Sequence, residues 1–222
     1  MLGFVSGLTS GFAVITAQKF GAKDEKGVRH SVYMNIMLNV LSTIVMTALA
    51  SITAAPILRL INTPSEIFSD AFNYIIIIYA GIGASVLYNA TACILRALGD
   101  SKSPLYFLVI SSVLNIVLDI QFIAQFRMGV AGAALATVIS QIFSGTASLI
   151  YMIRKFPILR LKKQDCHWDF WFARQHMKIG LPMAFQFSIT AIGVVILQGA
   201  LNTFGPVKIA AYTAAQKVEQ LI

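Results

Sequence analysis

Asp119 and Asn115 are the side chains in this sequence whose types and spacing best suit chemistry inside a membrane. Both lie in the apolar run Leu105–Phe126, four residues apart. On a helix, this spacing places the two side chains on one face, one turn apart. If the run spans a bilayer, a charged carboxylate at its centre costs about 2.5–3.5 kcal/mol on insertion scales. Such a residue typically binds or exchanges a cation or a proton.

The composition indicates a membrane protein with several spans. Of the 222 residues, 57% are hydrophobic and 12% are charged, and the mean hydropathy is +0.76, whereas soluble domains carry about 25% charged residues. The net charge of +8 does not indicate nucleic-acid binding, because the basic residues cluster in alternate loops. Neither cysteine is part of a CxxC motif, and Cys166, His167 and His176 are too loosely spaced for a zinc site. We expect an all-α polytopic membrane protein with no metal or other cofactor and no nucleic-acid partner.

Six apolar runs have the length of membrane spans, and a seventh begins near the C-terminus. Their predicted bounds are Met1–Lys19, Ser31–Ile61, Ile67–Leu95, Leu105–Phe126, Val130–Ile153 and Ile179–Phe204, with the seventh at Val207–Ile222. On the first run, Gly3, Gly7 and Gly11 either form a small-residue stripe for close helix packing or bend the helix. Both interpretations stay open at this stage.

A few polar and helix-breaking residues mark the first spans. Gly21 is expected to end the first helix. Pro56 favours a bend near the end of the second run. Asn35 and Asn39 lie four apart on that run, and we expect them to tie helices together rather than to contact a substrate.

A minimal loop at Arg127-Met128 joins the fourth and fifth runs, which must therefore be antiparallel neighbours. Asp119 lies about seven residues before this turn and Thr137 about seven residues into the next run, so the two side chains have similar depth. Thr137 is expected to hydrogen-bond toward the Asp119 site. Two interpretations of Asn115 and Asp119 stay open: either they couple a cation to transport, or they only join helices.

The basic residues predict the orientation of the chain in the membrane. The loop after the first run carries four Lys or Arg, the loop after the third carries two, and the segment 154–178 carries seven, against three in the loops on the opposite side. The positive-inside rule places the three basic segments in the cytoplasm. The segment 154–178 also interleaves aromatic with polar residues, which favours an amphipathic segment at the membrane surface. The first run then begins outside without a flanking loop and the last run ends unfinished, so we expect the chain to be part of a longer protein.

Five stretches of the chain together carry a family resemblance. They are 17–24 (AQKFGAKD), 95–100 (LRALGD) with Pro104, 114–115 (LN) with Asp119, 129–137 (GVAGAALAT) with Ser140 and Gln141, and 180–182 (GLP). In this order and spacing they resemble the MATE (multidrug and toxic compound extrusion) family of cation-coupled efflux transporters. The resemblance implies helices two to seven and most of eight of a twelve-helix, two-lobe protein. The N-terminal lobe would be 1–153, the cytoplasmic linker 154–178 and the start of the C-terminal lobe 179–222.

The resemblance also implies an activity and a site. Such proteins exchange H⁺ or Na⁺ for drugs or toxic organic compounds, often cationic, by alternating access. In the DinF-like branch, a cation site uses an Asp on helix one, an Asn and an Asp on helix five and a Thr on helix six. Asn115, Asp119 and Thr137 match the last three by motif and spacing, and the first Asp is expected upstream of Met1. The NorM-like branch has a Glu where this chain has Thr190, which favours the DinF-like branch.

Other activities fit the sequence less well. The main alternative is a lipid-linked precursor flippase of the same superfamily, whose cavity would need several basic residues within the spans, where this chain has only Lys217. A membrane-embedded enzyme needs converging nucleophiles, bases or metal ligands, but Asp119 and Glu219 are the only acids within the predicted spans and no His lies there. A channel remains an alternative class of function for this sequence. We expect a monomer in the bacterial inner membrane, with the lipid bilayer and small organic molecules as its partners.

Overall fold

The computed structural model describes residues 1–60, 65–161 and 163–202, and these residues form helices and no strand. The seven α-helices are α1 (Leu2–Gly21), α2 (Glu25–Leu60), α3 (Ser65–Ala80), α4 (Ile82–Ala97), α5 (Lys102–Ile120), α6 (Gly129–Lys155) and α7 (Phe170–Asn202). A π-helical turn, Gln121–Gln125, follows α5 directly. The predicted all-α class is confirmed. The predicted seventh span, Val207–Ile222, lies outside the described residues.

Within the described residues, four helices are each long and apolar enough to cross a membrane, namely α2, α6, α7 and α5 together with its π-helical turn. The pair α3 and α4 also qualifies when it is taken as one span with a bend of 42°. The helix α1 has 20 residues, the length of a span, but is richer in Gly, Ser and Thr and is not among these four. The predicted third span is therefore a bent pair of helices.

The bend between α3 and α4 lies at Gly81. A Cβ atom at this position would collide with the side chain of Val138 on α6. Gly81 thus lets α6 approach the backbone at the point where the α3–α4 pair changes direction. Pro56 lies inside α2, which continues to Leu60.

A glycine seam joins α1 to α7. A Cβ on Gly11 would lie 2.5 Å from the Cα of Gly180, and a Cβ on Gly7 would lie 2.6 Å from the Cα of Ala184. Backbone atoms cannot move aside as the end of a flexible side chain can, so only glycine fits at both positions. Since α1 runs unbroken through these glycines, the packing interpretation of the stripe is confirmed there. The contact at Gly3 is looser, at 3.4 Å from the Phe187 carbonyl oxygen.

The end of α1 differs from the prediction in one detail. Gly21 is the last helical residue, but the left-handed conformation that closes such an end falls on Lys23, with a φ of 58°. The Lys23 N–H donates to the Phe20 carbonyl oxygen at 2.9 Å, and the Asp24 N–H donates to the Lys19 carbonyl oxygen at 3.1 Å. The helix therefore ends at Gly21, as predicted, but the left-handed residue is Lys23, two positions later.

The segment between α6 and α7 is partly helical. Two short 3₁₀ turns, Pro157–Leu159 and Lys163–Asp165, precede α7. The helix α7 begins at Phe170, well before the predicted start of its span at Ile179. Of the aromatic residues in this segment, Trp168 and Trp171 are exposed and suit a membrane surface, whereas Phe172 is buried in the core.

Buried polar contacts hold this segment against α2. The Arg29 Nε donates to the Asp165 carboxylate at 2.8 Å, and both side chains are buried. His176 is fully buried, with its Nδ1 2.9 Å from the Phe172 carbonyl oxygen. Because a carbonyl oxygen only accepts, Nδ1 carries the proton, and in the neutral ring Nε2 accepts from the Ser31 hydroxyl at 3.2 Å. These contacts connect α2 with the start of α7.

Candidate cation site and polar cavity

The turn between α5 and α6 sets the register of the two helices. Arg127 and Gly129 both adopt left-handed backbone conformations, with φ values of 52° and 56°. This reversal makes α5 and α6 antiparallel neighbours, as predicted. It brings Asn115 on α5 opposite Thr137 on α6, and the Asn115 Nδ2 donates to the Thr137 Oγ1 at 3.5 Å, the long end of the hydrogen-bond range. The Thr137 hydroxyl in turn donates to the Ala133 carbonyl oxygen at 3.0 Å.

Asp119 lies one helical turn beyond Asn115, in the last turn of α5 before the π-helical turn. The residue is half-buried, and its Oδ1 is buried without a hydrogen-bond partner among the described residues. Leaving such an acceptor unsatisfied costs about 1–3 kcal/mol, and more for a charged group. A proton, a cation or a donor from another segment would remove this cost. The predicted hydrogen bond from Thr137 goes to its own helix and not to Asp119.

A polar cavity of about 300 Å³ lies next to this pair, between α4, α5 and α6. Leu108 is its one apolar lining residue. The others all carry hydroxyl or amide groups: Tyr88, Asn89, Ser111, Ser112, Asn115, Thr137, Ser140, Gln141 and Ser144. The structure thus brings Asn115 and Thr137 together in one cavity wall, with Asp119 just outside the lining. None of these lining groups has a formal charge, whereas Asp119, one turn from Asn115, contributes a carboxylate next to them.

Hydrogen bonds hold the cavity wall in place. The Ser85 hydroxyl donates to the Gln141 side-chain oxygen, which joins α4 to α6. The Ser111 hydroxyl donates to the Ser140 carbonyl oxygen at 3.0 Å, which joins α5 to α6. The Tyr88 hydroxyl donates to the Pro104 carbonyl oxygen at 3.0 Å. Each of the three helices is therefore cross-linked at the cavity, which limits how far its polar groups can move.

Sequence reasoning missed the wider cavity. It placed Asn115, Asp119 and Thr137 at a site, but it did not connect them with Tyr88 and Asn89 on α4 or with the hydroxyls further along α6. A signal was present, because the polar positions of α5 and α6 recur every three or four residues, the spacing of one helix face. Their meeting with α4 depends on how three helices pack, which this periodicity does not specify.

The available ligands suit a hard monovalent cation or a proton. Carboxylate, amide and hydroxyl oxygens are the donor set around Asp119, Asn115 and Thr137, and hard cations prefer oxygen. No group of three or more His, Cys, Asp or Glu side chains with a metal-binding arrangement occurs within the described ranges. Asp119 is the one carboxylate in this set of described ligands, and a single carboxylate does not suit a tightly held divalent metal.

The other predicted polar pair connects helices, as expected. The Thr9 hydroxyl on α1 donates to the Asn39 side-chain oxygen at 2.7 Å. The Asn39 Nδ2 donates to the Asn35 side-chain oxygen at 2.7 Å and to its carbonyl oxygen at 2.9 Å. Asn35 and Asn39 are both buried. The prediction that this pair ties helices together is confirmed for Asn39.

Comparison with known proteins gives the same family as the sequence motifs. The MatE family profile matches residues 1–121. The probable multidrug resistance protein YpnP of Bacillus subtilis is 32% identical over 226 residues, covering all of this chain and 49% of that protein. The probable multidrug resistance protein NorM of Thermotoga maritima is 28% identical over 95% of this chain and 46% of its own length. The chain spans about half the length of these curated relatives.

Solved structures show the same fold. A multidrug resistance MATE family transporter of the MOP superfamily in an outward-facing conformation matches 99% of this chain and 49% of its own, with a TM-score of 0.84 at 24% identity. The inward-facing conformation of such a transporter matches with a TM-score of 0.83. These relatives are transporters and not enzymes, and with the apolar helices they indicate a multi-pass protein of the bacterial inner membrane. The chain belongs to the MatE family.

Proposed function

We propose that the protein containing this chain exports organic compounds, chiefly cationic ones, in exchange for H⁺ or Na⁺, and that Asp119 takes part in the exchange. The single observation that carries this proposal is the buried carboxylate oxygen of Asp119, which has no hydrogen-bond partner in the described part of the chain and lies beside the Asn115–Thr137 contact. The relatives are named as multidrug resistance proteins. Similar folds occur in inward- and outward-facing conformations, which is consistent with alternating access.

Coupling follows from the free-energy cost of burying the charged Asp119 carboxylate. Without a proton or cation, the buried oxygen of Asp119 is unfavourable in a nonpolar environment. Binding of H⁺ or Na⁺ at Asp119 removes this cost. If the two conformations bury the carboxylate to different degrees, the ion shifts the equilibrium between them by its difference in affinity. The amide oxygen of Asn115 and the hydroxyl of Thr137 would supply further oxygen ligands for Na⁺. No cofactor is needed in this scheme, and a single copy of the protein suffices.

Efflux assays on the full-length protein test the role of Asp119. Asp119→Asn keeps the size of the side chain and removes its exchangeable charge, so we expect drug efflux to fall at least tenfold at equal expression. Asp70→Asn is a matched control, because Asp70 is an exposed carboxylate on α3. Unimpaired efflux by Asp119→Asn would exclude the coupling role. Vesicles with an imposed proton or sodium gradient then identify the ion, since only the coupled gradient drives uptake of the organic cation against its concentration.

A further inference from the structure

A second concavity lies between α5 and α6, at the end of α6 that the positive-inside rule places at the cytoplasm. It is a groove of about 580 Å³, lined by Phe107, Ala147, Ile150, Tyr151, Arg154 and Lys155. The groove shares no residue with the polar cavity. On α6, the groove residues Tyr151 and Lys155 follow the cavity residue Ser144 by seven and eleven positions, so they lie near the same face of the helix, two and three turns further along. The groove therefore lies beyond the cavity toward the cytoplasmic end of the α5–α6 pair.

One end of the groove is cationic. Arg154 is exposed and has no ion-pair partner within the part of the chain that the structure describes. The Lys155 Nζ lies 2.8 Å from the Asp100 carboxylate and 2.6 Å from the Tyr151 hydroxyl. Asp100 balances the charge of Lys155, so the net positive charge at this end comes from Arg154. The ammonium group still has one N–H free of these two contacts.

The other end of the groove is apolar. Phe107 on α5 and Ala147 and Ile150 on α6 form its wall. Ile150 is exposed, and further apolar side chains on the same two helices, including Ile110 and Phe143, are also exposed. A soluble anion would gain nothing from this apolar wall, whereas an amphiphile with an anionic head would contact both ends.

We propose that this groove binds an anionic phospholipid of the cytoplasmic leaflet. Arg154 donates to the phosphate, and the planar guanidinium suits two phosphate oxygens at once. The free N–H of Lys155 reaches the same headgroup, and the upper part of an acyl chain lies along Phe107, Ala147 and Ile150. Basic pockets on the cytoplasmic face of membrane proteins are suited to anionic headgroups. A zwitterionic phosphatidylcholine fits less well, because Arg154 repels its quaternary ammonium.

Native mass spectrometry of the full-length protein, titrated with phosphatidylglycerol and with phosphatidylcholine, tests the site. We expect wild type to retain phosphatidylglycerol preferentially. Arg154→Gln should weaken phosphatidylglycerol binding at least fivefold and leave phosphatidylcholine unchanged. Arg160→Gln is the matched control, since it removes an equal charge from an exposed arginine outside the groove. Equal losses in both variants would point to general surface charge and would overturn the proposal.

A second pair of variants tests the shape of the groove without changing its charge. Ala147→Phe fills the apolar end and should also weaken phosphatidylglycerol binding. Thr146→Phe places the same ring on the exposed neighbouring position and should not. Unchanged binding by Ala147→Phe with an unchanged melting temperature would exclude this groove. Inorganic phosphate is added as a competitor, and displacement of the lipid by millimolar phosphate would identify a phosphate site in place of a lipid site.

Discussion

Gly11 on α1 packs directly against Gly180 on α7, with room for only a hydrogen atom between the two backbones. A Cβ on Gly11 would lie 2.5 Å from the Gly180 Cα. This contact joins the predicted N-terminal lobe to the start of the predicted C-terminal lobe, so the close approach of these two helices depends on the absence of two side chains.

Gly11→Ala should therefore destabilise the protein by about 1–3 kcal/mol, because overpacking at a backbone contact forces the helices apart. Thermal unfolding of the purified full-length protein in detergent measures the effect. Gly21→Ala is the control, since a Cβ there meets no atom within 4 Å. A melting temperature for Gly11→Ala as high as that of the control would contradict the prediction, because it would show that α1 and α7 can move apart without loss of stability.

Thr137→Val removes the hydroxyl that accepts from Asn115 and keeps the shape of the side chain. If Thr137 supplies a ligand oxygen, the affinity for the coupling ion should fall about tenfold, which corresponds to about 1.4 kcal/mol. Isothermal titration with Na⁺, or the pH dependence of efflux, measures this change. Thr53→Val serves as control, because the Thr53 hydroxyl donates only to the backbone of its own helix. Equal ion affinity in the two variants would remove Thr137 from the site.

Asp165→Asn should cost about 3 kcal/mol or more, because it leaves the buried guanidinium of Arg29 without its nearest carboxylate. Glu25→Gln removes the other carboxylate near Arg29, which is 3.7 Å away and 72% exposed. Exposed pairs of this kind contribute about 0–1 kcal/mol. Chemical or thermal unfolding of the two variants compares the contacts. A larger loss from Glu25→Gln would contradict the assignment of the buried pair as the dominant one.

Asp100 should make the protein sensitive to acid. Burial acts to raise the pKa of this carboxyl, but hydrogen bonds from Lys155 and Ser103 outweigh burial and hold the pKa well below its usual value. A lowered pKa in the folded state stabilises the protein above the unfolded-state pKa, about 4, and this stability declines below that pH and is lost only as the pH falls through the lowered pKa of the folded state.

Asp100→Asn should accordingly lower the melting temperature at pH 7, and this difference should begin to shrink as the pH falls below about 4 toward the lowered pKa of the folded state. Melting curves of both proteins from pH 7 to pH 3 measure the difference. Asp24→Asn is a useful comparison, because the Asp24 carboxylate is more exposed, at 43% against 10% for Asp100. A pH-independent difference for Asp100→Asn would mean that its contacts do not depend on charge.

Much of the architecture could be predicted from one-dimensional patterns. The length and hydropathy of the runs were sufficient to predict helices, since a span must satisfy its backbone hydrogen bonds within itself. The short loop at Arg127 was sufficient to predict that α5 and α6 are antiparallel, and this brought Asn115 opposite Thr137. The motif order was sufficient to predict the MatE family. Helix ends were less predictable, as Lys23 and Phe170 show, because the capping contacts come from neighbouring segments.

The sequence by itself determined the class of protein, the order of its helices and the placement of Thr137 near the face that carries Asn115 and Asp119, because these depend on local periodicity and loop length. Tertiary structure decided the rest of the site. It bent the third span at Gly81, where α6 approaches too closely for a side chain, and it brought Tyr88 and Asn89 of α4 into the same cavity. It also left the Asp119 Oδ1 buried without a hydrogen-bond partner among the residues that the structure describes. Packing among several helices sets burial and hydrogen-bond partners, and the spacing along one helix contains no information about them.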